Sequence, residues 1–202
     1  MAKSKAVLQN RLVVMAKMPS AGRVKTRLAR DIGRVEALRF YRHQLARTCR
    51  ALSHNRQWRL ILSLAPDHVH WQGGLPVDEI IEQGRGGLGE RMQRLFEGNG
   101  KGSLIIIGAD IPNISPPMIA RAFHLLKGHD MVFGPAPDGG YWLVGQRRRP
   151  HIVRPFTKVR WSSPHALADT LANIPNASHA FVDELNDIDT GADYETHRQR
   201  NR

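Results

Sequence analysis

Leu104 to Ile107 form an unbroken apolar run between Gly102 and Gly108. A run without polar alternation predicts a strand buried on both faces, as in a parallel sheet covered by helices. Arg11 to Ala16 and Arg59 to Leu64 read the same way, with Glu79 to Gln83 a further short strand. Asp130 to Phe133 and Tyr141 to Val144 are two more, joined by Pro135-Ala136-Pro137-Asp138-Gly139-Gly140. Between them the period changes. Val35, Leu38, Tyr41, Leu45, Cys49 and Leu52 recur at helical spacing and predict an amphipathic helix over 34–52. A glycine loop from Gly84 leads into a helix ending near Phe96. Ser115 reads as an N-cap before Pro116, opening a helix through about Leu126. Ser162 or Ser163 caps another from Pro164 to about Leu171, and Thr190 with Asp193 has the form of a capping box for the last helix. His68 to Gly74 reads as a loop carrying Trp71.

At 202 residues the chain is expected to be one domain with a self-sufficient core. Its single cysteine, Cys49, cannot form an intrachain disulfide, and it falls on the apolar face of the 34–52 helix. It reads as core, and a reducing, cytoplasmic setting is expected. No apolar run approaches the roughly 20 residues of a membrane span. The start, MAKSKAVLQNR, has too short an apolar segment for a secretory signal. Net charge is +12, and it is uneven: the first 50 residues hold thirteen Lys and Arg against Asp31 and Glu36. That bias favours an anionic partner, either nucleotide phosphates or nucleic acid, although most of these cations read as solvated surface.

The candidate chemistry lies at strand ends. Asp110 sits just past the Leu104–Ile107 strand, where Pro112 prevents continuation, and Asp138 opens a glycine turn. In open α/β sheets ligands bind outside the carboxyl ends of the strands. After the first strand, the loop from Lys17 to Arg27 offers the backbone freedom of Gly22 and the charges of Arg23, Lys25 and Arg27. It reads as a phosphate cradle or as an exposed basic loop, and spacing alone does not separate the two. It is not a Walker A loop, because Gly22 and Lys25 are not adjacent and the upstream glycine is missing. Asp187 and Asp189 precede the last helix and are free to point elsewhere. An EF-hand is excluded by Ala192 and Arg198 at its sixth and twelfth positions. The ten histidines form no zinc motif, and neither a nucleophile elbow nor a dinucleotide fingerprint is present.

Taken in order, the motifs are Lys17-x-Pro19, Gly22-x-Val24-Lys25-Thr26-Arg27-Leu28, Gln83 with Leu88-Gly89-Glu90-Arg91-Met92, and Gly108-x-Asp110-x-Pro112. Gly134-Pro135 with Asp138-Gly139-Gly140-Tyr141, then Trp161-Ser162, and finally Asp187-x-Asp189-Thr190 complete the series. This series resembles the nucleotide-diphospho-sugar transferases of the selenodomain-associated type. They belong to the GT-A-like superfamily, alongside molybdenum-cofactor and phospholactate guanylyltransferases. The resemblance covers about residues 11–195. It departs at Gly87, where the pattern carries an acidic residue, and at Ala109 and Ile111, where it carries Ser and Cys.

The resemblance implies an α/β, three-layer Rossmann-like GT-A fold with a mostly parallel central sheet flanked by helices. It implies that Lys17, Gly22, Arg23, Lys25 and Arg27 hold nucleotide phosphates. Asp110 would bind Mg²⁺ or Mn²⁺, helped by Asp187 or Asp189. Asp138 would face the sugar or acceptor, with Gly139, Gly140 and Tyr141 offering open backbone and an aromatic ring. Such all-oxygen carboxylate sites suit hard divalent ions. The activity expected is metal-dependent transfer from a nucleotide sugar to an acceptor. Two alternatives stand beside it: nucleotidyl transfer from a nucleoside triphosphate with release of pyrophosphate, and a basic nucleic-acid-binding protein on an inactive scaffold.

Overall fold

The computed structural model describes residues 9–69, 73–98 and 102–200. The chain start and, within the His68–Gly74 loop, Trp71 lie outside them. The elements in chain order are β1 (Asn10–Lys17), α1 (Leu28–Ile32), α2 (Arg34–Leu52), β2 (Trp58–Ala65), β3 (Glu79–Glu82), α3 (Leu88–Glu97) and β4 (Leu104–Gly108). They continue with α4 (Pro116–Leu125), β5 (Met131–Pro135), β6 (Tyr141–Gln146), α5 (Ala166–Ala172), β7 (His179–Phe181) and α6 (Gly191–Arg200).

The strands form one sheet in the order β3-β2-β1-β4-β6-β5-β7. β1 pairs in parallel with β2 on one side and β4 on the other, β2 with β3, and β5 with β7. β6 alone is reversed, antiparallel to both β4 and β5. The period-two geometry of a strand then divides the apolar runs between two faces. Leu12, Val14, Ile105 and Ile107 pack under α2 and α4 with Leu45, Cys49, Ile119 and Phe123. Val13, Ile61, Ile106 and Phe133 point the other way, to Met92 and Phe96 of α3 and to Leu167 and Leu171 of α5. Both faces are covered, which is why these runs lack polar alternation, and the result is the expected three-layer α/β architecture. Cys49 is buried in the first of these clusters, as its helical phase implies.

Some boundaries differ from the sequence expectation. Val35 has the right spacing for the apolar face of α2 but stands 64% exposed in the first turn, while Ala37 and Phe40 turn inward. They meet Leu28, Ile188 and Tyr194, a third small cluster that fastens α6 to α1 and α2. Ser115 occupies the N-cap position of α4 in extended conformation, but its hydroxyl makes no cap bond. The α5 helix begins at Ala166, two residues later than expected, because Ser162 takes a left-handed backbone (φ 57°) and Ser163 bonds back to the Arg160 carbonyl. The Thr190–Asp193 capping box forms as read, each side chain bonding the other's backbone N–H.

Since β2 leaves β1 on one side and β4 lies on the other, the crevice between the carboxyl ends of β1 and β4 is a switch point of the sheet.

Candidate active site

Two polar side chains on the buried face of α2 fix the strand ends that frame this crevice. The Tyr41 hydroxyl accepts from the Lys17 N–H (2.9 Å) and donates to the Lys17 carbonyl (3.0 Å), holding the last residue of β1. The Gln44 amide donates to the Ile111 carbonyl at 2.9 Å, holding the turn that carries Asp110. Gln83 does the same from the other direction: its amide bridges the carbonyls of Ala16 and Ser63, and its oxygen accepts from Arg91. Gln83 belongs to the motif series, whereas Tyr41 and Gln44 carry no motif, yet the sequence holds a signal for them. Tyr41 and Gln44 are polar groups one turn apart on a core-facing helix surface, and buried polar groups need partners. Replacing Gln44 with leucine should leave the Ile111 carbonyl unpaired. We expect a loss of about 1–3 kcal/mol, read as a lower urea midpoint with unchanged slope.

The basic loop divides in two. Gly22, at φ 75°, turns the chain out of β1, a conformation that L side chains rarely adopt. Arg23 and Arg27 are exposed, while Val24 and Leu28 are buried and anchor the loop. Lys17 is exposed at the end of β1. Lys25 is different. Its ammonium lies 2.8 Å from Asp110, 2.8 Å from Asp189 and 3.5 Å from Asp187, with 4% of the side chain exposed. Of the three loop cations expected to hold phosphate, Lys25 is instead engaged by carboxylates, while Arg23 and Arg27 stay exposed. Lys25 turns inward because the loop packs Val24 and Leu28 into the core and brings it over three carboxylates.

Asp110, Asp187 and Asp189 thus converge, but on Lys25. As donors they match a hard ion in chemistry, yet the place between them is taken by an ammonium. As arranged they do not fit Mg²⁺ or Mn²⁺. Among the described residues, no group of three or more His, Cys, Asp or Glu is placed to hold an ion.

The charges of the cluster follow from its geometry. Burial works against the Lys25 charge, but Asp110 with its neighbours outweighs it and raises the lysine above its ordinary range. Burial, with Asp189 and Asp110 nearby, pushes Asp187 up to about 6. Asp189 resists its burial and is lowered, because it bonds Lys25 directly and has Arg27 at 3.4 Å. Asp187, at 3.5 Å, gains less from the same lysine. An acid whose folded pKa lies above its unfolded value stabilises the fold when protonated and loses that contribution as pH rises from about 4 to about 6. Asp187→Asn should accordingly raise Tm at pH 7.5 and flatten the pH dependence between those limits. Because a third of the side chain remains exposed, the expected gain is discounted to about 1 kcal/mol, or roughly 2–4 °C.

Asp110 joins two lobes of one cleft. The first, about 440 Å³, lies over the end of β1 and is lined by Lys17, Lys25, Gly86, Gly87, Leu88, Arg91 and Asp110. The second, about 260 Å³, lies beyond β4 and is lined by Asp110, Asp138, Gly140, Tyr141, Trp142, Trp161, Ser162 and Asp187. Met15 and Leu88 are shared by both. Asp138 is exposed, and its carboxylate accepts from the Gly140 N–H at 2.9 Å, so it both shapes the turn and faces the second lobe. Gly139 (φ 82°) is pinned from outside: a Cβ there would run into the Pro164 carbonyl, and its own carbonyl accepts from Leu167. Gly139 therefore builds the turn and does not line the lobe. Tyr141 presents its ring to the lobe and stacks edge-on with Trp161 and Phe133, while its hydroxyl lies 3.4 Å from Thr170. Trp161 packs there and also forms part of the wall.

Residues 44–163 match the bacterial family described as "Uncharacterized protein conserved in bacteria (DUF2064)", and with more than half of its length matched the chain belongs to that family. The fold is that of the nucleotide-diphospho-sugar transferases. A crystal structure provisionally designated as such a transferase, from Desulfovibrio desulfuricans, superposes with a TM-score of 0.85 at 25% identity, covering 96% of this chain and 87% of that one. CMP:2-keto-3-deoxy-manno-octonic acid synthetase, in complex with CTP, follows at 0.56 and 11% identity, covering 95% and 98%. The 4-diphosphocytidyl-2C-methyl-D-erythritol synthase of Anaerococcus prevotii gives 0.60 and 9%, covering 96% and 99%. These last two are similar in fold alone. A search of curated proteins finds no match. Among the described residues no helix is long and apolar enough to cross a membrane.

Proposed function

We propose that the protein is a single-domain transferase that takes a nucleotide sugar as donor. The nucleotide would lie in the lobe over β1, and the sugar and acceptor in the lobe beyond β4. The observation that carries this reading is the two-lobed cleft, in which the Asp110 carboxylate stands where the lobes meet. Similarity to the provisionally designated nucleotide-diphospho-sugar transferase supports it. Lys17 and Arg91 are the cations of the lobe wall open to phosphates, and Arg23 and Arg27 stand exposed on the loop whose Val24 and Lys25 line it. Asp110 and Asp138 face the reacting end and can orient hydroxyl groups or accept a proton from an acceptor.

The charge of the loop favours a diphosphate donor over a triphosphate. Lys25 is neutralised by carboxylates, and Arg27 is partly engaged by Asp189. What remains suits a smaller charge than the loop's composition suggests. The exposed α2 cations Arg39, Arg42 and Arg50 line neither lobe, so they add nothing to the charge that faces the donor.

The test is incubation with nucleoside triphosphates and nucleotide sugars, with and without Mg²⁺ or Mn²⁺, followed by phosphorus NMR. Release of a nucleoside diphosphate from a nucleotide sugar is the expected result, and pyrophosphate from a triphosphate would replace this reading with nucleotidyl transfer. The Arg23→Ala/Arg27→Ala double variant should bind the released nucleoside diphosphate at least about tenfold more weakly, because each arginine offers charge-assisted bonds to phosphate. Its stability should stay within about 0.5 kcal/mol of the parent, since both side chains are exposed. Calorimetric titration and urea unfolding on the same sample check the two halves.

A further inference from the structure

The three carboxylates at the cleft already hold a cation. An ammonium has three N–H donors, and Lys25 finds one carboxylate for each: Asp110 and Asp189 at 2.8 Å, Asp187 at 3.5 Å. The lysine does not reach this place by chance of rotamer. Its backbone is held left-handed at φ 44°, a conformation costly for a residue with a Cβ and kept only when the surroundings fix it. Those surroundings are visible. Val24 and Leu28 are buried on either side, and the Lys25 carbonyl accepts from Ala29 at 2.9 Å to start α1. On the carboxylate side, the Asp31 carboxylate accepts from the Gly191 N–H at 2.7 Å, and the Thr190–Asp193 box locks the turn carrying Asp187 and Asp189. Gln44 holds the turn carrying Asp110. Ammonium and carboxylates are thus positioned independently and meet with opposite charge.

We propose that Lys25 is the resident cation of this cluster, so that the free protein does not take up a divalent metal at Asp110, Asp187 and Asp189. An incoming ion would need these oxygens at 2.0–2.6 Å. There it meets a full positive charge already at hydrogen-bonding distance from the same atoms, with 4% of the lysine side chain open to solvent. The position of the ammonium and the contacts that hold it carry this proposal. It does not depend on the transferase reading, because neither nucleotide nor turnover enters its test.

Mn²⁺ binding can be followed by loss of the free-ion electron paramagnetic resonance signal, without nucleotide, for the parent, Asp110→Asn, Lys25→Met and Lys25→Met/Asp110→Asn. The parent and Asp110→Asn should give superimposable isotherms, since the parent has no site that depends on Asp110. Lys25→Met should bind Mn²⁺ at least tenfold more tightly than the parent, and the second substitution should abolish the gain. Mn²⁺ binding by the parent that Asp110→Asn weakens tenfold would overturn the proposal, as would a folded Lys25→Met protein that gains nothing. Should Lys25→Met fail to fold, the parent and Asp110→Asn still decide the matter between them.

Discussion

Replacing Lys25 with methionine should lower stability by about 2–4 kcal/mol at pH 7.5, a fall in Tm on the order of 10 °C. Methionine keeps most of the aliphatic bulk of the lysine stem, so packing changes little. What changes is charge. Removing one partner of a buried ion pair typically costs about 3–5 kcal/mol, because the other is left uncompensated. Here Asp110, Asp187 and Asp189 are each about a third exposed, and water screens part of that penalty. The pH dependence identifies the mechanism. The raised pKa of Lys25 keeps the ammonium charged up to strongly alkaline pH, so the lysine's own titration adds no pH dependence between pH 5 and 9. In the variant Asp187 and Asp189 lose the ammonium and face one another, which favours their protonated forms in the folded chain. Their protonated forms stabilise at low pH, and that stability is lost as pH rises. The gap between variant and parent should therefore be small near pH 4 and widen towards neutrality, as thermal unfolding at several pH values will read. A gap independent of pH would assign the loss to packing.

Asp110→Asn should reduce transfer from the nucleotide sugar by about 10²- to 10³-fold, the range seen when one preorganised charge at a reacting centre is removed. The shape of the side chain is kept, and Lys25 retains Asp189 and Asp187, so the fold should lose no more than about 1 kcal/mol. Asp110 is shared by both lobes of the cleft, whereas Asp187 lines the second lobe and not the first. A turnover assay by phosphorus NMR alongside a denaturation curve separates the two effects. Unchanged turnover in the folded variant would remove Asp110 from the chemistry and leave it a partner of Lys25.

The contrast within the basic loop follows from the same geometry. Substituting Arg23 and Arg27 should change binding and leave the fold. Substituting Lys25 should change the fold first. Three cations at alternate positions look equivalent in the sequence, yet only the middle one is buried against carboxylates.

Much of the architecture was legible in the chain because it rests on local physics. Unbroken apolar runs such as Leu104–Ile107 have no wet face and suit strands between two helical layers, and period 3.6 over residues 34–52 suits a helix with one face on the core. The capping box at Thr190 and Asp193 is a contact between residues three apart, so it too could be read directly. The positions of Asp110 and Asp138 at strand ends followed from where the apolar runs stop. What the tertiary structure alone decided was direction. Lys25 meets Asp189 across 164 residues of sequence, and no local period says whether a loop lysine points to solvent or into a cluster formed by chain so distant. Tyr41 reads as a helix-phase residue until β1 supplies the Lys17 backbone it binds, and Gln44 finds its partner only in the turn after β4. The short strand β7 carries no pattern of its own and exists because β5 offers an edge for it to pair with. Contacts within a few residues are written in the sequence, whereas those that join distant elements depend on how the layers close. At this site it is the second kind that sets the charge.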